Sequence, residues 1–70
     1  MAHDLAIWVI YDSPIDLPGR FVARKWLLDR PTSVVLQSKT LDELRSKLPS
    51  GLTQLPRDPG DDAKIVESWI

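Results

Sequence analysis

The side chains of this sequence that could do chemistry fall into four groups. The first is His3, the single histidine, with Asp4 beside it. General acid–base catalysis needs a positioned group in a cleft, whereas a histidine this close to a terminus reads as a solvated side chain. No serine has a base other than His3 to activate it. No G-x-S-x-G turn and no phosphate-cradling glycine loop is present. The second group is Asp58, Asp61 and Asp62, crowded into RDPGDD. A calcium site needs about six to eight oxygens and a characteristic loop spacing, which this stretch lacks. It reads as a polar turn whose carboxylates cap backbone amides.

The third group is Arg20, Arg24, Lys25 and Arg30, interleaved with Phe21 and Trp26. A basic stretch with aromatics is the pattern of a stacking platform for single-stranded nucleic acid. Strand alternation, however, sends Arg24 and Lys25 to opposite faces, so a solvated or ion-paired strand is the simpler reading. The fourth group is aromatic. Three tryptophans, Trp8, Trp26 and Trp69, stand in 70 residues. Tryptophan is a core residue by default but is also enriched at interfaces, and three exceed what one small core needs. Asp12, Asp16 and Arg20 flank a loop with two prolines. Asp12 and Asp16 serve as turn formers through backbone hydrogen bonds, or the three form the polar edge of a rigid recognition loop.

Composition narrows the choice among these groups. Nine Lys and Arg against ten Asp and Glu leave a net charge of −1. That is neither the basic excess of a dedicated nucleic-acid binder nor the acidic excess of a DNA mimic. Zero cysteines exclude disulfides, thiolate metal sites and thiol enzymes. A chain this short buries only about 60% of its unfolded surface, so its core is marginal. No stretch approaches the ~20 apolar residues of a membrane span. The run Leu5–Ile10 is too short, and its flank too uncharged, for a signal peptide. The reading is a cytoplasmic protein with no cofactor, no metal and no membrane partner, and with nucleic acid disfavoured.

The elements that must position these side chains are delimited by the prolines and glycines. Leu5–Asp12 (LAIWVIYD) is β-branched and aromatic, a strand signal. It is apolar on both parities, as a central strand is. Asp12–Gly19 is a stiff loop, too long for a two-residue hairpin. Arg20–Leu28 is a second strand, Asp29–Thr32 a turn and Ser33–Gln37 a shorter third strand. Thr40-Leu41-Asp42-Glu43 is a capping box. Leu41, Leu44 and Leu48 form one helical stripe, and Pro49 ends the helix. Residues 50–62 read as irregular, anchored by Leu52 and Leu55, and Ala63–Trp69 as a final strand. The fold class expected is α+β, in the order β-β-β-α-β: a small three- to four-stranded, mainly antiparallel sheet with one short helix on one face. It forms a single domain over 1–70. The hairpin register stays open. With Tyr11 opposite Phe21, Trp8, Ile10, Val22, Trp26 and Leu28 share a face, and a one-residue slip reassigns them. One short helix cannot hide both apolar faces of the first two strands.

Two blocks of residues resemble a known group. The first is Trp8-Val9-Ile10-Tyr11-Asp12, then Pro14, Asp16 and Pro18, then Phe21-Val22-Ala23-Arg24. The second is Leu48-Pro49-x-Gly51-Leu52, Leu55-Pro56-Arg57, Pro59-x-Asp61-Asp62, Ile65-Val66-Glu67 and Trp69. Together they resemble a family of small hypothetical proteins of bacteria and tailed phages. The resemblance implies a complete single-domain product of bacterial or phage origin. It brings no activity, cofactor or partner with it.

The functional expectation is a non-enzymatic module that binds another protein or itself, as a homodimer in the simplest case. If phage-borne, it would modify a host protein. The expected contact residues are Tyr11, Asp12, Asp16, Arg20, Arg24 and Trp26. A weak nucleic-acid binder acting through Arg20–Arg30 is the alternative. A small enzyme using His3 or Asp61 and Asp62 ranks last.

Overall fold

A computed structural model describes residues 6–27, 30–57, 60 and 62–70. Its strands are β1 (Ala6–Asp12), β2 (Phe21–Leu27), β3 (Arg30–Ser38), β4 (Gln54–Leu55) and β5 (Ile65–Trp69), with one helix, α1 (Leu41–Lys47), between β3 and β4. Among the described residues all strand pairs are antiparallel, in the spatial order β3-β2-β1-β5-β4.

This corrects the expected fold class. The sheet has five strands rather than three or four, the order is β-β-β-α-β-β, and the protein is mainly β. The additional strand lay inside the segment read as irregular. Two residues are too few to display a period-2 pattern. Gln54 and Leu55 are a strand because β5 lies alongside to pair with them. Reciprocal backbone bonds between Thr53 and Ile70 extend that pairing. β3 is also longer than expected and begins at Arg30. Pro31 is tolerated there because β3 is an edge strand, where one side of the backbone needs no partner.

The doubly apolar β1 lies third of the five strands, between β2 and β5, as its composition requires. Its register on β2 is Tyr11 opposite Val22 and Asp12 opposite Phe21, one residue from the pairing considered above. The slip separates the tryptophans. Trp8 and Ile10 face the same way as Ala23 and Trp69, whereas Trp26 shares the other face with Ile7, Val9, Tyr11, Val22 and Arg24.

The first of these faces is covered by α1. The Thr40 hydroxyl accepts from the Glu43 amide at 3.2 Å, which satisfies one of the orphan N–H groups of the first turn. Leu48, the residue before Pro49, leaves helical geometry and ends the helix. A helix of 7 residues does not persist in water on its own. This one is held by Leu44, fully buried against Trp8, Ile10 and Ala23, with Leu41, Leu48 and Leu52 packed around that cluster. Glu67 is buried on the same face. Arg45 on α1 donates to both of its carboxylate oxygens, and the Trp69 indole and the Gln54 amide donate to it as well. The arginine beside it holds the Glu67 carboxyl below the usual carboxylate range, against the upward push of burial.

Candidate functional site

Among the described residues the second face carries no helix. Part of it is covered by the loop from Ser13 to Arg20, folded back over β2. Ser13 takes a positive φ of 52° and Gly19 one of 76°, which lets the chain reverse twice within a few residues. The Ser13 amide donates to the Arg20 carbonyl at 2.8 Å, and the Leu17 amide to that of Pro14 at 3.0 Å. The Gly19 amide donates to the Ser13 hydroxyl, and the Lys64 ammonium donates to the Ser13 carbonyl at 2.7 Å. Pro14 is thereby buried. Ile15, beside it, is 91% exposed.

The loop and the bare strands enclose an open cleft of about 380 Å3, walled by Tyr11, Pro14, Ile15, Arg24, Trp26 and Pro31, with Asp62 and Lys64 at the rim. Arg24 stands between the two aromatics. Its guanidinium lies 6.0 Å from the centre of the Tyr11 ring, within cation–π range, and pairs with Asp16. That hydrogen bond draws the Asp16 carboxyl below its ordinary range. The Trp26 indole N–H is buried and has no acceptor among the described residues. A buried unpaired donor costs about 1–3 kcal/mol, so this N–H does nothing to hold the fold.

Of the expected contact residues, Tyr11, Arg24 and Trp26 meet in this cleft, and Asp16 joins them through Arg24. Asp12 and Arg20 do not. Asp12 faces the helix side opposite Phe21, where its carboxylate accepts from the Ser13 hydroxyl and its amide donates to Lys64. Arg20 gives the loop its closing carbonyl. Pro14, Ile15, Pro31 and Lys64 line the cleft without having been expected as contact residues, and Asp62, weighed only as a metal or catalytic group, lines it too. Ile15 carried a usable signal, since it is a large apolar residue set between prolines in a polar loop. The basic stretch is not gathered on one face. Arg24 lines the cleft, while Lys25 lies over the Trp8 ring on the helix side at 5.8 Å, and Arg30 is exposed on the edge strand.

His3, Asp58 and Asp61 lie outside the described residues. Asp62 acts as a turn former, its carboxylate accepting from the Lys64 amide at 2.9 Å. Among the described residues no three acidic or imidazole groups converge as metal ligands would. No helix there is long and apolar enough to cross a membrane.

Set against protein-family models, curated proteins and solved structures, the chain matches none of them.

Proposed function

We propose that the protein is a non-enzymatic binding module whose contact surface is the open sheet face, centred on the cleft between Tyr11 and Trp26. The observation that carries this reading is the open cleft in which Tyr11, Arg24 and Trp26 stand together on a sheet face that, among the described residues, no helix covers. Tryptophan, tyrosine and arginine are the residues most enriched at binding hot spots, and this cleft holds one of each. The braced loop supports the reading, because it presents Ile15 in a fixed place and lowers the ordering cost of association. The neighbouring edge offers a poorer site. Along β3 the pairing is interrupted at Thr32–Val34, where the Thr32 hydroxyl donates to the Lys25 carbonyl and accepts from the Val34 amide. Bulges and prolines of this kind blunt an edge against strand addition.

The partner is a protein or a second copy of the chain. If the resemblance to small phage proteins holds, it is a host protein. The test pairs capture from a bacterial lysate with sedimentation of the purified protein, for wild type, Trp26→Ala and Ile15→Asp, with Asp42→Ala on the far side as a control. Capture or self-association that is lost in the two cleft variants and kept in the control is the expected outcome. Loss in none of them, or equal loss in all three, contradicts the reading.

A further inference from the structure

We infer that the second half of β3 is a pairing edge for a second copy of this chain, and that Lys47 holds it shut by occupying the Gln37 carbonyl. None of the residues from Val35 to Ser38 lines the cleft. In an antiparallel ladder, successive residues turn both backbone groups first toward one neighbour and then toward the other. The Ser13 amide donates to the Arg20 carbonyl on the β2 side, and the Asp12 amide to the Lys64 carbonyl on the β5 side. The register runs unbroken from there along β1 and β2. Val22 therefore turns to β1, and Phe21 and Ala23 turn to β3. The Lys25 carbonyl turns to β3 as well, and accepts from the Thr32 hydroxyl at 2.8 Å. Phe21 and Ala23 stand opposite Ser38 and Leu36. The alternate residues, Val35 and Gln37, thus point their N–H and C=O groups away from β2, into the open edge.

That edge is complementary to itself. The bulge blunts Thr32–Val34, but from Val35 to Ser38 the register is regular. Val34 and Val35 are exposed there, at 42% and 38%, and an unpaired edge with exposed apolar side chains invites a further strand. Two copies related by a two-fold axis at Leu36 would set Val35 opposite Gln37 and exchange reciprocal N–H···O=C bonds. A contact of this isologous kind closes as a dimer. The Gln37 carbonyl is an acceptor that such a dimer needs, and it is already taken. The Lys47 ammonium, from the last turn of α1, donates to it at 2.9 Å. Leu44, one turn earlier, is fully buried against the sheet, which fixes that end of the helix over β3. Pairing would also bring the two Lys47 ammoniums to carbonyls about 7 Å apart along the seam, within a Debye length of about 8 Å. Lysine at an edge deters strand addition, and here it does so at a particular carbonyl.

The test is sedimentation velocity and hydrogen exchange on ¹⁵N-labelled Lys47→Ala, Lys47→Arg and the double variant Lys47→Ala with Val35→Pro. All carry Ile15→Asp, which disfavours association through the cleft, and Ile15→Asp alone is the reference. Lys47→Ala should self-associate about tenfold or more tightly than the reference. The Val35 and Gln37 amides, open to exchange in the reference, should be slowed about tenfold or more in the associated variant. Lys47→Arg keeps the donor and the charge and should match the reference. Val35→Pro removes an outward N–H that β2 does not use, which an edge strand tolerates, and should reverse the association. No tightening in Lys47→Ala overturns the inference. So does association that leaves the Val35 and Gln37 amides unprotected, a result that needs no proline variant to fold. A Lys47→Arg protein that associates as Lys47→Ala does, or a folded double variant that still associates, also overturns it. None of these results bears on the binding-module reading, since every arm carries the same change at the cleft.

Discussion

The helix-covered face holds Arg45, Glu67 and Trp69, and the open face holds Arg24, Asp16 and Trp26, the same three kinds of group put to opposite uses. On the covered face the carboxylate is buried and both the guanidinium and the indole N–H donate to it. On the open face the ion pair is partly exposed, with side-chain exposures of 31% for Arg24 and 60% for Asp16, and among the described residues the indole N–H has no acceptor. The covered face is not fully satisfied either, since the Ser38 hydroxyl is buried there without a partner. It nevertheless closes its charged group within the chain. The difference separates holding the fold from offering a surface, and substitutions on the two faces should differ accordingly.

The largest effect belongs to the core of the covered face. Ile10 is fully buried between β2 and β5. Ile10→Ala should cost about 3–4 kcal/mol as a cavity opens. A chain of this length has only about 4–10 kcal/mol in all, so the urea midpoint should fall by about a third or more. Next is Arg45→Ala, which strands the buried Glu67 carboxylate and should cost about 2–3 kcal/mol in the same assay.

Acid sharpens that prediction. The folded-state pKa of Glu67 is depressed below the ordinary 4.5, so its contribution is complete above that value and is lost as pH falls through the folded pKa. Wild type should therefore lose stability only below about pH 4.5. Arg45→Ala removes the largest downward pull on that carboxyl while burial still pushes it up and Trp69 still pulls it down, so the loss of stability in acid should be smaller in the variant than in wild type. Urea midpoints measured across that range check the difference.

Thr40→Ala removes the helix cap and should cost about 1 kcal/mol, seen as a modest drop in the midpoint. Smallest are the substitutions on the open face. Ile15→Asp should leave stability within about 0.5 kcal/mol of wild type, and Asp16→Asn should leave the thermal midpoint unmoved, while either reduces binding.

Much of the covered face was legible in the sequence because its signals are local. Thr40 and Glu43 announce the helix start, the leucines its buried stripe, Pro49 its end, and the doubly apolar β1 its central place. What could not be read depends on pairing. One residue of register decided whether Trp26 joined Trp8 in the core or faced away from it. β4 exists because of β5, and the Arg45–Glu67 contact joins residues far apart in the chain. Four of the six expected contact residues converge near the cleft, since Tyr11, Arg24 and Trp26 alternate onto one face once the register is set. Asp12 and Arg20 were placed by proximity in sequence, and the loop turns them to other work.

The indole N–H of Trp69 serves the fold and that of Trp26 does not. The most direct measurement is a pair of urea titrations on Trp69→Phe and Trp26→Phe, which make the same change on the two faces. Trp69→Phe should lose about 1–2 kcal/mol more than Trp26→Phe, because it removes a donor from a buried carboxylate whereas the other relieves an unpaired one. Equal losses, or a larger loss in Trp26→Phe, would contradict this division of roles between the two indoles.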